Sequence, residues 1–314
     1  GGTIGGGIKE NNFLGKGIKL NSNLQVSDSA IKGKFVYEKP NFNYSDNSLF
    51  TSLSSTSTDR SKDFGYESSD IGLSLGTSFE QFENLFLRPE LDMSFEKLET
   101  TSNASTAIKK QEGDYFDAYL NYTLDYDLRN NRYRADEGYR NIFYQELPVI
   151  SDNHEIINSF ETTRYQKISS MVTKVSFYGK AVNTFNDEDV RISKRLFMPS
   201  YKLRGFEAGK IGPTENGDYI GGNYISALNF SATLPELLPS FQNIDFSYFV
   251  DAGNVWGVDY DSANDAGNKI RSSTGVAMDI LTPIGPLNFS LSQPISKSHT
   301  DKTETFRFNL GTTF

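Results

Sequence analysis

The chain of 314 residues is 37% hydrophobic, carries 31 Lys and Arg against 40 Asp and Glu, and holds two His and no Cys. A formal net charge of −9 argues against nucleic acid as a partner, because phosphate backbones are bound by clustered cations. Without cysteine there are no disulfides, thiolate metal sites or cysteine nucleophiles, and no apolar run approaches the ~18 residues a spanning helix needs.

Taken in chain order, the sequence begins with Gly1, Gly2, Gly5, Gly6 and Gly7. This run reads either as a linker or as a first strand weakened by missing side chains and by glycine's entropy. From there, period-two alternation recurs to the end of the chain, the mark of strands with one apolar and one polar face. Ile18, Leu20, Leu24 and Val26 oppose Lys19, Asn21, Asn23 and Gln25. Phe116, Ala118, Leu120, Tyr122 and Leu124 oppose Tyr115, Asp117, Tyr119, Asn121 and Thr123. Met171, Val175 and Phe177 oppose Lys174, Ser176 and Lys180.

Further on, Ile244, Phe246, Tyr248 and Val250 alternate with Asp245, Ser247, Phe249 and Asp251. Leu287, Phe289 and Leu291 alternate with Asn288, Ser290 and Ser292, and Phe306, Phe308, Leu310 and Phe314 stand against Arg307, Asn309 and Thr313. Polar stretches at 57–63, 100–110, 183–189 and 259–268 read as loops, and no helical periodicity stands out. The stretch from Tyr139 to Lys167 alternates least clearly.

The mean hydropathy of −0.49 suits a soluble sheet, and it also suits a transmembrane barrel, in which only every second residue faces lipid. Three features favour the barrel: apolar faces rich in aromatic residues, charges on the polar faces, and a last strand that ends on an aromatic residue. The expected fold is an all-β, transmembrane antiparallel up-and-down barrel of about sixteen strands, at roughly 20 residues per strand and connection.

The most distinctive short signal is Leu203-Arg204-Gly205-Phe206-Glu207, followed by Lys210-Ile211-Gly212-Pro213 and Gly221-Gly222-Asn223. It resembles the Arg-Gly-Phe loop motif of the outer-membrane protein assembly factor BamA family. Asp251-Ala252-Gly253, Thr282-Pro283-Ile284-Gly285-Pro286-Leu287 and Gly311 extend the resemblance from Arg204 to Phe314. Asn12-Phe13-Leu14-Gly15-Lys16-Gly17 looks like that family's first hairpin turn, and Tyr126-Asp127-Leu128-Arg129 with Gly138 like its central periplasmic turn.

The resemblance implies one barrel domain over 1–314 with a long loop, around 199–222, that enters the lumen. In the family the loop arginine meets acidic groups on the inner wall, which suits a guanidinium's need for carboxylate partners in a partly dehydrated space. Strand parity puts Asp251 on the lumen face as the expected partner of Arg204. Asn229 stands where the family has a second acid and is expected to accept a hydrogen bond, with Gly205 allowing a tight backbone and Phe206 anchoring the tip.

The resemblance also implies assembly and insertion of β-barrel proteins into the outer membrane through a lateral gate between the first and last strands, built from Gly2, Gly5, Gly6, Gly7, Phe306, Phe308, Gly311 and Phe314. The partners it implies are nascent outer-membrane β-barrel proteins, outer-membrane lipids, and accessory lipoproteins that bind through periplasmic repeats. The resemblance covers the barrel and none of those repeats, so the chain is expected to be the barrel portion of a longer protein. Related readings are an autotransporter assembly factor or a two-partner secretion transporter; a diffusion porin and an outer-membrane protease belong to other classes.

Enzyme signatures are weak. His154 and His299 have no companion at metal-ligand spacing, Asp187, Glu188 and Asp189 read as an acidic loop, and neither a phosphate loop nor a serine elbow is evident. The sequence implies no covalent catalysis, no metal and no cofactor.

Overall fold

The structure, a computed structural model, describes residues 2–310 except 133, 235, 236, 238, 239, 261, 265, 266 and 284. Of the expected gate and motif residues, Gly311, Phe314 and Ile284 lie outside the described residues. Strands β1 (Gly2–Phe13), β2 (Ile18–Ser27), β3 (Ala30–Lys39), β4 (Ser48–Arg60), β5 (Tyr66–Phe82), β6 (Leu85–Thr100), β7 (Gly113–Asp127), β8 (Gly138–Ile150), β9 (Glu155–Ile168) and β10 (Met171–Thr184) form a meander. A long connection follows and contains a small hairpin of β11 (Thr214–Glu215) and β12 (Asp218–Tyr219). The meander resumes with β13 (Tyr224–Leu234), β14 (Ile244–Trp256), β15 (Arg271–Thr282), β16 (Gly285–Ser296) and β17 (Phe306–Leu310).

Among the described residues, fifteen strands close into the barrel, with β11 and β12 apart from it. This differs from the expected sixteen. A uniform repeat length counts the connection of residues 185–223 as barrel wall, whereas it forms no wall strand. The parity has a geometric consequence. A meander reverses at every turn, so in an odd-numbered ring the first and last strands run the same way. Every other neighbouring pair is antiparallel, and β1 meets β17 in parallel at Gly2↔Phe308, Thr3↔Asn309 and Ile4↔Leu310.

Burial follows the alternation with its usual sense inverted. On β5, Ile71, Leu73 and Leu75 are exposed on the outside while Ser68 and Ser74 are buried on the lumen face; on β7, Phe116 and Leu120 lie outside while Asp117, Tyr119 and Asn121 are buried. A soluble sandwich would place these sets the other way round, and an apolar outer face with a polar lumen is the pattern of a membrane barrel. Aromatic pairs sit at both rims, Tyr224 on Trp256 at one end and Tyr126 near Tyr139 at the other, the positions where amphipathic rings meet a membrane interface.

Sequence composition misleads in two places. Residues 57–60 continue β4 rather than forming a loop, because hydroxyl side chains serve a hydrated wall: Ser52 bonds to Ser74 on β5 and Thr51 donates to the Ser74 carbonyl at 2.8 Å. Residues Thr106–Lys109 form one helical turn, capped by the Ser105 hydroxyl, which accepts from the Ile108 amide at 3.3 Å.

Because strands alternate in direction, connections divide between the two ends. One end carries tight turns such as 83–84 and 169–170; the other carries the long connections 101–112, 185–223, 257–270 and 297–305. With the apolar strand faces turned outward, the dry core is built by these loops. One cluster joins Val190, Leu196, Leu203, Phe206 and Ile211 to Val182, Ile225 and Val255 of the wall. A second packs Phe64, Leu98, Ala104, Ile108, Ile192 and Tyr219 beneath the loop end.

A closed hydrogen-bonded ring resists detergent. The purified protein is expected to give a β-dominated circular dichroism spectrum and to migrate faster on gels when unheated; a helical spectrum, or mobility indifferent to heating, would contradict the closed barrel.

Candidate functional site

The connection between β10 and β13 turns inward rather than away from the barrel. It enters through a 3-10 turn at Ile192–Lys194, crosses the lumen, and brings Arg204 against β14. The Arg204 Nε and a terminal amino group donate to the two Asp251 oxygens at 2.7 and 2.8 Å, and the Arg204 amide donates to the same carboxylate at 3.1 Å. Asp251 is fully buried, and the guanidinium lies 3.6 Å from the centre of the Phe249 ring, two residues away on the same lumen face. This is a forked, charge-assisted contact, strong in both energy and orientation.

Asn229, directly opposite Asp251 in the β13–β14 register, takes the reverse of its expected role. Its amide nitrogen donates to Asp251 at 2.9 Å and to the Lys202 carbonyl at 2.8 Å. Both partners are acceptors only, which settles the amide orientation by chemistry. A neutral donor at this position adds a bond to the single carboxylate where a second acid would repel it.

Gly205 and Phe206 complete the tip. Gly205 has φ +90°, and a Cβ there would come within 3.1 Å of Ser292 Cβ and 3.3 Å of Ser273 Cβ, so the close approach of loop to wall requires glycine. Phe206 is buried in the loop's apolar cluster. The tip also pairs with the segment leading into β17: the Glu304 amide donates to the Gly205 carbonyl at 3.1 Å and the Glu207 amide to the Lys302 carbonyl at 3.0 Å. From there Glu304 meets Arg307 at 3.2 Å, and Arg307 reaches Thr3 of β1 at 3.4 Å.

Of the expected gate residues, Gly2 packs on Phe308 across the parallel seam, where a Cβ at Gly2 would lie 2.6 Å from the ring. Gly5, Gly6 and Gly7 pair with Gln25, Leu24 and Asn23 of β2, so the run from Gly2 to Gly7 is a strand and not a linker. Phe306 is exposed on the outer face and stacks on Phe289 of β16.

Several lumen residues had no place in the sequence reading. Lys202 donates to Glu161 at 2.8 Å and lies over Tyr178; Arg195 meets Asp259 at 3.3 Å; Arg271 holds Asp301 at 3.0 and 3.1 Å, both side chains fully buried. At the outer cap, Asp63 binds Lys210 at 2.9 Å and Lys302 at 3.1 Å, tying three loops together. Beside the loop, towards β3–β6, a cavity of about 1530 Å³ remains, lined by Lys32, Lys34, Ser54, Asp70 and Asp92 among others.

The barrel has counterparts among known proteins. Residues 12–314 match the Omp85 superfamily domain. The chain belongs to the Omp85 superfamily. It is similar to the outer membrane protein assembly factor BamA of Neorickettsia risticii, 24% identical over 79% of this chain and 34% of that protein. It is also similar to BamA of Neisseria meningitidis, 33% identical over 36% of this chain and 17% of that protein. The human sorting and assembly machinery component 50 homolog is 27% identical over 50% of this chain and 35% of that protein.

This Omp85 barrel thus spans about a third or less of the length of each of these relatives. In fold it is similar to the crystal structure of Haemophilus ducreyi BamA lacking POTRA domains 1–3, with TM-score 0.85 and 24% identity over 97% of this chain and 66% of that one. CdiB from Acinetobacter baumannii is more distant, with TM-score 0.62 and 12% identity over 96% of this chain and 55% of that one.

Two expectations follow from the geometry. Removing one member of a buried ion pair strands the other, a loss of roughly 3–5 kcal/mol. Arg204→Ala and Asp251→Ala should therefore each lower the unfolding free energy of the barrel substantially, and the double variant should lose clearly less than the sum; additive losses in denaturant titrations would refute the coupling.

The second expectation concerns acid. Burial raises the Asp63 pKa, but hydrogen bonds and attraction from Lys210 and Lys302 more than reverse this and hold it below the ordinary aspartate value. A depressed carboxylate stabilises the fold above its unfolded pKa of about 3.9, and that stability is lost as pH falls through the folded value. The melting temperature of Asp63→Asn should therefore fall less than that of the unaltered protein between pH 6 and pH 3, and parallel curves would refute the linkage.

Proposed function

We propose that this barrel assembles and inserts other β-barrel proteins into the outer membrane in which it resides, as the barrel portion of an assembly factor. The observation that carries the reading is the superfamily match over residues 12–314, joined to relatives named as outer membrane protein assembly and sorting and assembly components. No covalent chemistry is assigned to the protein. The free energy for insertion comes from the client's own folding.

The working part of this proposal is a lateral gate between β1 and β17. Its support is physical. Parallel pairing is slightly weaker per residue than antiparallel pairing, and the β1–β17 contact is the barrel's parallel junction. β1 is glycine-rich, so it contributes few packing contacts. A strand edge exposed to hydrocarbon leaves backbone donors and acceptors without water, and an incoming client strand would satisfy them by augmentation.

In this reading the Arg204 loop is a positioning element. Its tip lies against residues 302–304, which run directly into β17, so the seating of the loop and the position of the last strand are joined. Partners on this reading are nascent outer-membrane β-barrel proteins and the surrounding lipids, with accessory lipoproteins engaging segments outside this chain.

The experiment exploits the absence of cysteine from these 314 residues, with any cysteine elsewhere in the full-length protein replaced by serine. In the full-length protein, cysteine pairs at Gly2/Phe308, Thr3/Asn309 and Ile4/Leu310 would be oxidised, using whichever pair meets disulfide geometry. Seam cross-linking should stop client assembly and reduction should restore it, while a Thr163/Ser176 tie within the β9–β10 pair should leave assembly near normal. Clients assembling at the normal rate with the seam fully cross-linked would sink the gate.

A further inference from the structure

The connection between β10 and β13 carries a second arginine that the family resemblance does not account for. Arg191 lies at the loop's entry, between Val190 and Ile192, and is fully buried. Its guanidinium donates to Asp117 of β7 at 2.8 and 3.2 Å and to Glu96 of β6 at 3.1 Å, and it stacks 3.7 Å over the Tyr115 ring. The Arg191 amide donates to Glu155 of β9 at 3.4 Å.

The neighbours of Arg191 are held by the same wall. The Ile192 amide donates to the Gln111 side-chain oxygen at 2.6 Å, the Gln111 amide nitrogen donates to the Val190 carbonyl at 3.3 Å, and the Ser193 hydroxyl donates to Glu96 at 2.7 Å. This is a built seat, in which every strand from β6 to β9 except β8 contributes a carboxylate. Burial alone would lower the Arg191 pKa, but Asp117, Glu155 and Glu96 more than reverse that and raise it, so the side chain stays charged at any accessible pH.

Asp117 and Asp251 lie on different sides of the ring, with β8, β9, β10 and β13 between their strands. We propose that Arg191 is a second positioning residue, which pins the stem of the lumen loop to the β6–β7 wall while Arg204 pins its tip to β14, so that the loop is stretched across the lumen between two independent anchors. Between these anchors Arg195 and Lys202 tie the loop to Asp259 and Glu161, and Arg191 adds the tie to the β6–β7 wall. Two anchors on separated walls fix the loop's direction. The stem anchor also supplies what the tip lacks: where Asn229 leaves Arg204 with a single carboxylate, Arg191 meets two.

Amide hydrogen exchange on the purified protein in detergent separates the anchors, because each protects its own segment. Arg191→Ala and the wall variant Asp117→Asn should each speed exchange in residues 190–196 by about tenfold or more, with residues 203–206 and the strands keeping their protection. Arg204→Ala should do the reverse. Arg191→Lys, which keeps the charge and loses the fork, should fall between Arg191→Ala and the unaltered protein. Heat-dependent gel mobility verifies that each barrel is closed, and if Arg191→Ala does not fold, Asp117→Asn carries the test.

Unchanged protection of 190–196 in the closed variants would overturn the proposal, and so would an equal rise in both segments, which would mean one cooperative plug. The readout needs no client protein, so its failure is separate from any failure of the assembly reading.

Discussion

Every backbone group in a membrane-spanning strand must find its partner within the sheet, because hydrocarbon offers none, and this requirement sets the disposition of everything else in the barrel. Closure turns one face of each strand to lipid, and Ile71, Leu73, Phe116, Leu120, Val175 and Phe177 are spent there. The other face lines the lumen with Ser, Thr, Asp and Glu. The strands thus have little apolar surface left over for an interior, and among the described residues the dry cores are those the loops make with one another and with wall residues such as Val182, Ile225 and Val255.

A lumen wall rich in carboxylates creates a demand for cations that wall residues such as Arg140, bound to Asp125, meet only in part. The long connection of residues 185–223 meets it with Arg191, Arg195, Lys202, Arg204 and Lys210, each set against an acid of another element. Buried pairs of this kind do little for net stability when compared with apolar packing of the same volume, since desolvation offsets most of the attraction. Their value is positional. A forked guanidinium bound to a fully buried aspartate tolerates little displacement, so a loop that would be mobile in water takes one course through the lumen.

The sequence was legible where a period existed. Alternation located β2, β7, β10, β14, β16 and β17, and parity alone assigned Asp251 to the lumen face, because a strand residue has only two faces to choose from. Where the period was absent, so was the signal. The end of β4, residues 57–60, is polar on both faces and reads as a loop, although its hydroxyls suit a hydrated wall. The strand count went astray because the inward connection is as long as a hairpin. Arg191 could have been noticed as a charge between Val190 and Ile192 in an otherwise polar stretch, yet its partners Glu96 and Asp117 are about 75 to 95 residues distant, and no local pattern encodes a loop's course. The donor role of Asn229 was missed because the carbonyl of Lys202 enters the site only after the loop has folded inward.

The seam and the loop are parts of one mechanical arrangement. The tip leaves Arg204 and immediately pairs with residues 302–304, β17 begins at Phe306, and Arg307 on that strand contacts both Glu304 and Thr3 of β1. Any movement of β17 away from β1 therefore acts on the segment bonded to the loop tip, and the tip resists through Asp251. A loop anchored only at its tip would yield by pivoting about its free stem. On the proposed two-anchor reading, one held at the β6–β7 wall as well would pass the load to the far side of the barrel, where the strands are long and antiparallel. On the proposed reading the parallel junction of the ring is braced against the β6–β7 wall, and parting β1 from β17 would require either that the tip release residues 302–304 or that the loop move as a whole.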